Sequence, residues 1–261
     1  GTLTSTDVTN VSDVENLNFS SGDDTFSFTD KADYDSTISK FSAVSGGSGT
    51  DSIDFSSAVN GDLDFSKLSS FETLSFGSGD DGITFGSDEF TSGLRTLNLG
   101  DGTNTANLDA NTTSTVQVKG GTGTDTFNLD FSRLSESDYS INGGTGTDTL
   151  KLSGSTGASP ISTDTDFTTS STITNVERID ITSLNLNTTT TDNNTEFDFT
   201  GFFNSITSDT GNLTLSLSNS QVEKIKFTDS SSAVHDSAST IVDGATYILG
   251  SKSLTIDITD V

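Results

Sequence analysis

The sequence predicts an all-β fold: a right-handed parallel β-helix or β-roll over residues 1–152, followed by further β-structure. Three observations predict it. A ten-residue phrase, GGTGTDTFNL from Gly120, recurs as GGTGTDTLKL from Gly143 and as GGSGTDSIDF from Gly46. Apolar and polar residues alternate on both sides of each copy, which reads as strand, tight turn, strand. No long segment carries a helical period, and RLSESD around Arg133 is at most one turn of helix.

Taken in chain order, three weaker copies join the full ones. They are FSSGDDTFS from Phe19, FGSGDDGIT from Phe76 and LGDGTNTAN from Leu99. Unit starts at 19, 46, 76, 99, 120 and 143 are 21 to 30 residues apart, the spacing of a solenoid coil. Two residues before each unit stands an apolar residue: Leu17, Val44, Leu74, Leu97, Val118 and Ile141. The eighth position holds Phe26, Ile53, Ile83, Ala106, Phe127 and Leu150, and the tenth holds Phe28, Phe55, Phe85, Leu108, Leu129 and Leu152. Equivalent apolar residues of successive coils are expected to stack into ladders that fill a narrow interior. The longer steps of 27 and 30 residues are expected to interrupt the column of turns at its N-terminal end.

A second phrase, V-E-x-[LI]-x-[FI], stands at Val14–Phe19, Val176–Ile181 and Val222–Phe227, with near copies at Phe71–Phe76 and Leu94–Leu99. Its alternation again says strand. Its Glu is a ligand, a catalytic acid or an outward-facing charge on a coil strand, and the last reading is the expected one. Residues 153–172, rich in Ser and Thr and holding the lone Pro160, read as a loop or boundary. From 173 to 261 alternating strands continue without the glycine turn, as further coils or as a small sandwich.

Composition narrows the function. The net charge is −27, carried by 31 Asp and 7 Glu, and such a surface repels nucleic acid and anionic membranes. It also destabilises a compact chain unless cations neutralise it. Either solubility in a salty exterior or divalent cation binding accounts for it. Without cysteine there are no disulfides, zinc–thiolate sites or cysteine nucleophiles. No apolar run reaches the ~20 residues of a membrane-spanning helix. No signal peptide is visible, and an opening at Gly1 rather than Met suits a piece of a longer protein. The single histidine, His235, has no partner at zinc-ligand spacing and is expected at the surface. HExxH and GxSxG are absent, no carboxylate pair stands out, and Arg95, Arg133 and Arg178 are scattered. No enzymatic activity is expected. Asn-x-Ser/Thr triplets such as Asn111-Thr112-Thr113 are expected by chance in this composition.

The repeated phrase does suggest a chemistry. Glycines at its first, second and fourth positions permit φ > 0 and close approach of turns, leaving carbonyl oxygens exposed. The sixth-position aspartate adds a charged oxygen. Ca²⁺ accepts six to eight oxygens in flexible geometry, whereas Mg²⁺ demands a stricter octahedron and keeps its waters. Mere tight turns with solubilising aspartates are the alternative.

These turns resemble the nonapeptide repeats of the RTX family, secreted proteins exported by type I systems. The resemblance spans residues 19–152. It implies Ca²⁺ bound between neighbouring turns by carbonyls and by the sixth-position aspartate. Carried over, the ligands are Asp51, Asp125 and Asp148 with Gly46, Gly47, Gly49, Gly120, Gly121, Gly123, Gly143, Gly144 and Gly146, then Asp24 and Asp81 in the weaker copies. The copy at Leu99 departs from the pattern with Asn104, leaving Asp101 as a substitute. The family runs its nonapeptides in tandem, whereas here each coil carries one, so a wider β-helix with a single calcium-lined edge is expected.

Calcium would then be a folding cofactor, its binding energy becoming folding energy. The mixture of isolated RTX turns with Ser/Thr/Asp-rich, cysteine-free strands resembles RTX-type bacterial surface-layer proteins. That implies secretion to the bacterial cell surface, calcium-dependent self-association into a lattice, and cell-surface polysaccharide as a partner. The alternatives are a domain of an RTX adhesin binding polysaccharide or a host receptor, and an accessory module of a secreted polysaccharide-modifying enzyme. The final SLTIDITDV reads equally as a secretion signal or a last edge strand.

Overall fold

A computed structural model describes residues 1–85, 93–108, 115–134, 139–154, 171–186 and 197–259. Pro160, the Asn111 triplet and most of the 153–172 boundary lie outside the described residues. The chain is mostly β, its parallel strands stacked in register as a β-solenoid. It divides into two compact units, Gly1–Asp125 and Thr126–Val261.

In the first unit one face is a parallel ladder of Thr2–Thr4, Thr25–Phe28, Ser52–Phe55, Thr73–Ser75, Thr96–Asn98 and Val116–Lys119. A second face stacks Asn60–Asp62, Gly82–Thr84 and Thr105–Asn107. A third stacks Asn16–Asn18, Ala43–Ser45 and Leu68–Ser69. Alternation puts every second side chain inside, so Phe26, Ile53, Leu74, Leu97 and Val118 form one buried row across the first face. Phe28, Phe55 and Phe76 follow as a second row, with ring centroids 5.7 and 5.5 Å apart.

These rows differ from the expected ones. Ile53, which follows its glycine turn, pairs with Leu74, which precedes the next. Val44 pairs with Leu68 instead. The glycine turns at 46 and 76 therefore occupy different corners of the coil. The physical reason lies in residues 55–62. They pass through a glycine-free turn, FSSAVN, and supply the strand Asn60–Asp62, moving the next glycine turn one corner along.

An eight-residue helix, Lys31–Ile38, was not legible as a periodic pattern. Asp30 caps it by accepting from the Asp33 N–H at 2.9 Å. Its Tyr34 packs against Phe28, Phe55 and Phe65 and donates to the Asp64 carbonyl at 2.8 Å. The helix fills the 27-residue step without separating the turns at 19 and 46, which remain paired through Ser21 and Ser48.

The second unit continues with coils rather than a separate sandwich. Thr126–Asp130, Thr149–Ser153, Arg178–Asp180, Asn212–Ser218 and Lys252–Thr259 run parallel in register. Tyr139–Asn142 pairs with Thr172–Thr174, and Phe197–Asp198 with Ile225–Thr228. Arg133 lies in a single 3-10 turn, Phe131–Leu134. Beside the Phe197–Asp198 and Ile225–Thr228 pair, Phe199, Phe202, Phe203 and Phe227 form a fully buried cluster. The sheet ends in an antiparallel strand, Thr246–Leu249, against Lys252–Thr259. Lys252 reaches across to the carbonyls of Phe203, Asn204 and Ile206 at the end of the helix Thr200–Ser205.

Candidate metal centre

The glycine turns stack so closely that side chains are excluded. A Cβ on Gly46 would lie 1.9 Å from the Ser70 carbonyl oxygen, and one on Gly143 equally close to that of Asn175. The second and fourth glycines, such as Gly121 and Gly123 at φ 105° and 134°, adopt the left-handed conformation that side chains disfavour. Gly144 and Gly146 share that conformation and Gly120 opens its motif, whereas a Cβ on Gly47 or Gly49 would lie 2.3 or 2.6 Å from the carbonyl oxygen of Ser20 or Gly22.

Within the first unit these turns form two columns, not the expected single edge. One runs through the turns at 19 and 46 and ends at Ser70–Glu72. In the first unit the other runs from residues 56–59 through the turns at 76, 99 and 120. In the second unit a turn at 143 is followed by Asn175–Glu177.

Along each column the sixth-position side chain points inward and accepts the backbone N–H of its counterpart one coil earlier. Asp24 N–H donates to Asp51 Oδ1 at 2.8 Å, and Asp51 N–H to Glu72 Oε2 at 2.8 Å. In the other column Val59 N–H donates to Asp81 Oδ1, Asp81 N–H to Asn104 Oδ1 at 3.0 Å, and Asn104 N–H to Asp125 Oδ1 at 3.0 Å. In the second unit Asp148 N–H donates to Glu177 Oε2 at 2.9 Å. Asp24 Oδ1 lies against the Gly1 nitrogen.

The ladder uses one oxygen of each carboxylate. The other oxygen, Oδ2, is buried without a hydrogen-bond partner at Asp24, Asp51 and Asp81, whose relative exposures are 7%, 0% and 2%. Asp125 and Asp148 are equally buried. Burial raises the pKa of Asp81 and Asp125, against the smaller opposing pull of their Val59 and Asn104 hydrogen bonds. A buried carboxylate oxygen without a protein donor calls for a proton, a cation or an ordered water.

The donors fit a hard cation where the sixth residue is Asp: one carboxylate oxygen per turn among carbonyls, with no sulfur or imidazole. They do not fit at Asn104. There Oδ1 is held by the Asp81 N–H, and the buried atom beside it is the amide nitrogen Nδ2, a donor that repels cations. Asp101 does not substitute. It is exposed on the rim of its turn, accepting from the Thr122 hydroxyl at 2.7 Å. Among the described residues no three His, Cys, Asp or Glu side chains converge on one point. Any ion would therefore depend mainly on main-chain oxygens.

Two groups of residues that tie successive turns together escaped the sequence reading. Glu72 and Glu177 of the V-E-x-[LI] phrase are ladder ends, not outward charges. Each follows a non-glycine residue at positive φ by two positions, Ser70 at 57° and Asn175 at 52°. Glu177 is buried, also accepts the Asp209 N–H at 3.3 Å, and has its pKa raised chiefly by burial. Glu15 and Glu223 in sister phrases are exposed. Asp23 and Asp80, at the fifth position of the weaker copies, accept from the N–H groups of Thr50 and Thr103 at 2.8 Å and lock successive turns together.

No protein-family profile, curated protein or solved structure matches the chain.

Proposed function

We propose that this chain is a structural, calcium-binding domain of a secreted bacterial surface protein, folding with Ca²⁺ and assembling into a surface layer. One observation carries the calcium part: three fully buried Asp Oδ2 atoms, on Asp24, Asp51 and Asp81, without a hydrogen-bond donor. A divalent cation bound there and to the turn carbonyls would neutralise charges that otherwise repel along the column. Extracellular modules of this chemistry hold Ca²⁺ at roughly 10⁻⁴–10⁻³ M, so the chain would fold on reaching the exterior. The assembly part rests on the RTX resemblance and on a composition poor in catalytic groups.

A second reading, a calcium-stiffened adhesin domain, draws on a cavity of about 320 Å³ beside Thr4, Thr6, Ser27 and Asp54. Its hydroxyls and a carboxyl whose pKa burial raises are suited to a neutral ligand rich in hydroxyl groups.

The test is to strip the protein with EGTA and add back Ca²⁺ or Mg²⁺ while following far-UV circular dichroism and sedimentation. Folding with Ca²⁺ alone supports the metal reading, and concentration-dependent assembly favours the lattice over the adhesin. A stripped protein that is already folded and indifferent to Ca²⁺ would sink both.

A further inference from the structure

His235 stands outside the glycine motifs in sequence, and its surroundings are unlike those of a surface histidine. Its ring is largely enclosed, with Phe227 nearly parallel at 5.0 Å between centroids and Tyr247 tilted at 4.3 Å. Nε2 lies 3.1 Å from Asp229 Oδ2, and Nδ1 lies 3.1 Å from the Thr240 carbonyl oxygen. A carbonyl only accepts. Asp229 also only accepts, because the Ser231 hydroxyl, His235 and the Ala233 N–H hold its carboxyl well below the usual range. Neutral imidazole has one N–H and one lone pair, so it can satisfy only one of these two oxygens and repels the other. The imidazolium donates to both, and the two π systems beside it favour a cation.

The consequence reaches the edge of the sheet. Thr246–Leu249 is the outermost strand beyond Lys252–Thr259, and an open edge is a template for pairing with another chain. The Asp229 turn covers it. Ser230 N–H donates to the Ile248 carbonyl at 2.7 Å, and Ser230 Oγ accepts from the Gly250 N–H at 2.6 Å. On the far side of the ring, Tyr247 donates to the same Thr240 carbonyl and accepts from the Val242 N–H.

We propose that His235 is a proton-operated latch: its doubly protonated ring holds the Asp229 and Thr240 turns together, and loss of one proton frees the turn that guards the Thr246–Leu249 edge. The titratable groups around it are Asp229 on the preceding turn, Asp236 beside it in sequence, Glu223, whose Oε1 accepts from the Ala238 N–H, and the Tyr247 phenol. Among the described residues Asp229 is the one charged side chain bonded to the ring.

The experiment uses the full chain, ¹⁵N-labelled and in saturating Ca²⁺. Imidazole ¹⁵N shifts are recorded from acid to alkaline pH together with hydrogen exchange of the Ser230, Val242 and Gly250 amides, corrected for intrinsic rates. Ser253, whose N–H donates to the Gly211 carbonyl, serves as the control. Those three amides should exchange at least tenfold faster, relative to Ser253, across the range in which the ring loses its proton. In His235→Gln the faster exchange should be present at every pH. A ring that carries a single proton wherever the chain is folded overturns the proposal, as does a ring that titrates while the amides stay protected. If the variant does not fold, the wild-type titration decides alone.

Discussion

The backbone N–H of Asp51 donates to Glu72 Oε2 at 2.8 Å, closing a ladder whose preceding rung is the Asp24 N–H on Asp51 Oδ1. The longer side chain stands at a corner where a bend at Ser70, with φ 57°, takes the place of the glycine turn. The same exchange closes the ladder of the second unit, from Asp148 to Glu177.

Removing either closing carboxylate should therefore uncap a column. Glu177→Ala leaves two amide donors without an acceptor and is expected to destabilise the protein by about 1–3 kcal/mol. Glu177→Gln keeps an acceptor and should lose less. Urea denaturation at fixed calcium measures both, and equal losses in the two variants would contradict the ladder.

Acid dependence follows from the buried carboxyls. Asp81, Asp125 and Glu177 have folded-state pKa values raised above those of the unfolded chain. Between the unfolded and folded values the folded state binds more protons, so stability falls as pH rises through that window. The calcium-free protein should thus lose stability on going from about pH 4 toward neutrality. Saturating Ca²⁺ should flatten that decline by taking the place of the protons. Thermal melts with EGTA and with Ca²⁺ across this range test it, and a calcium-free protein that gains stability with rising pH would contradict it.

Asn104→Asp should repair the gap in the second column. The expected result is at least one more Ca²⁺ bound, counted by calorimetric titration, and a higher melting temperature with calcium. Without calcium the same variant should be less stable than the parent, because it adds a buried charge. A stabilised calcium-free variant would argue that these positions are not cation sites.

Two glycine substitutions separate backbone strain from turn packing. Gly22 and Gly121 both have positive φ, at 112° and 105°. A Cβ at Gly22 meets nothing within 4 Å, whereas at Gly121 it would lie 1.9 Å from the Gly100 carbonyl oxygen. Gly22→Ala should cost about 1–2 kcal/mol. Gly121→Ala should cost clearly more, since a neighbouring turn must move. Similar losses in denaturant titrations would mean that the turns are not in contact.

Much of this arrangement could be read from residue order, because local chemistry determines it. Alternation around Phe26 and Ile53 gives the strands, and the glycine spacing gives the turns and the inward Asp. The choice of corner could not be read, since a turn motif looks the same wherever on the coil it lies. FSSAVN forms a stacked turn without glycine or acid, its place set by the coil beneath it. Glu72 and Glu177 are alike in sequence to the exposed Glu15 and Glu223, and only the presence of an Asp turn one coil earlier makes them acceptors. His235 has local partners at Asp229 and Thr240, but a closed loop of that kind carries no periodic signal.

Because the glycine motif changes corners, the unit that repeats in sequence and the unit that repeats in space are not the same piece of chain. Ser52 and Thr73 are stacked partners although one follows its glycine turn and the other precedes the next. Excising residues 52–72 would join Asp51 to Thr73 and delete one whole revolution with the strand ladder intact. Excising from one motif to the next, residues 46–75, would splice mismatched corners. Editing or grafting in this protein has to be counted strand to strand, and an alignment made motif to motif superposes residues that belong to different faces.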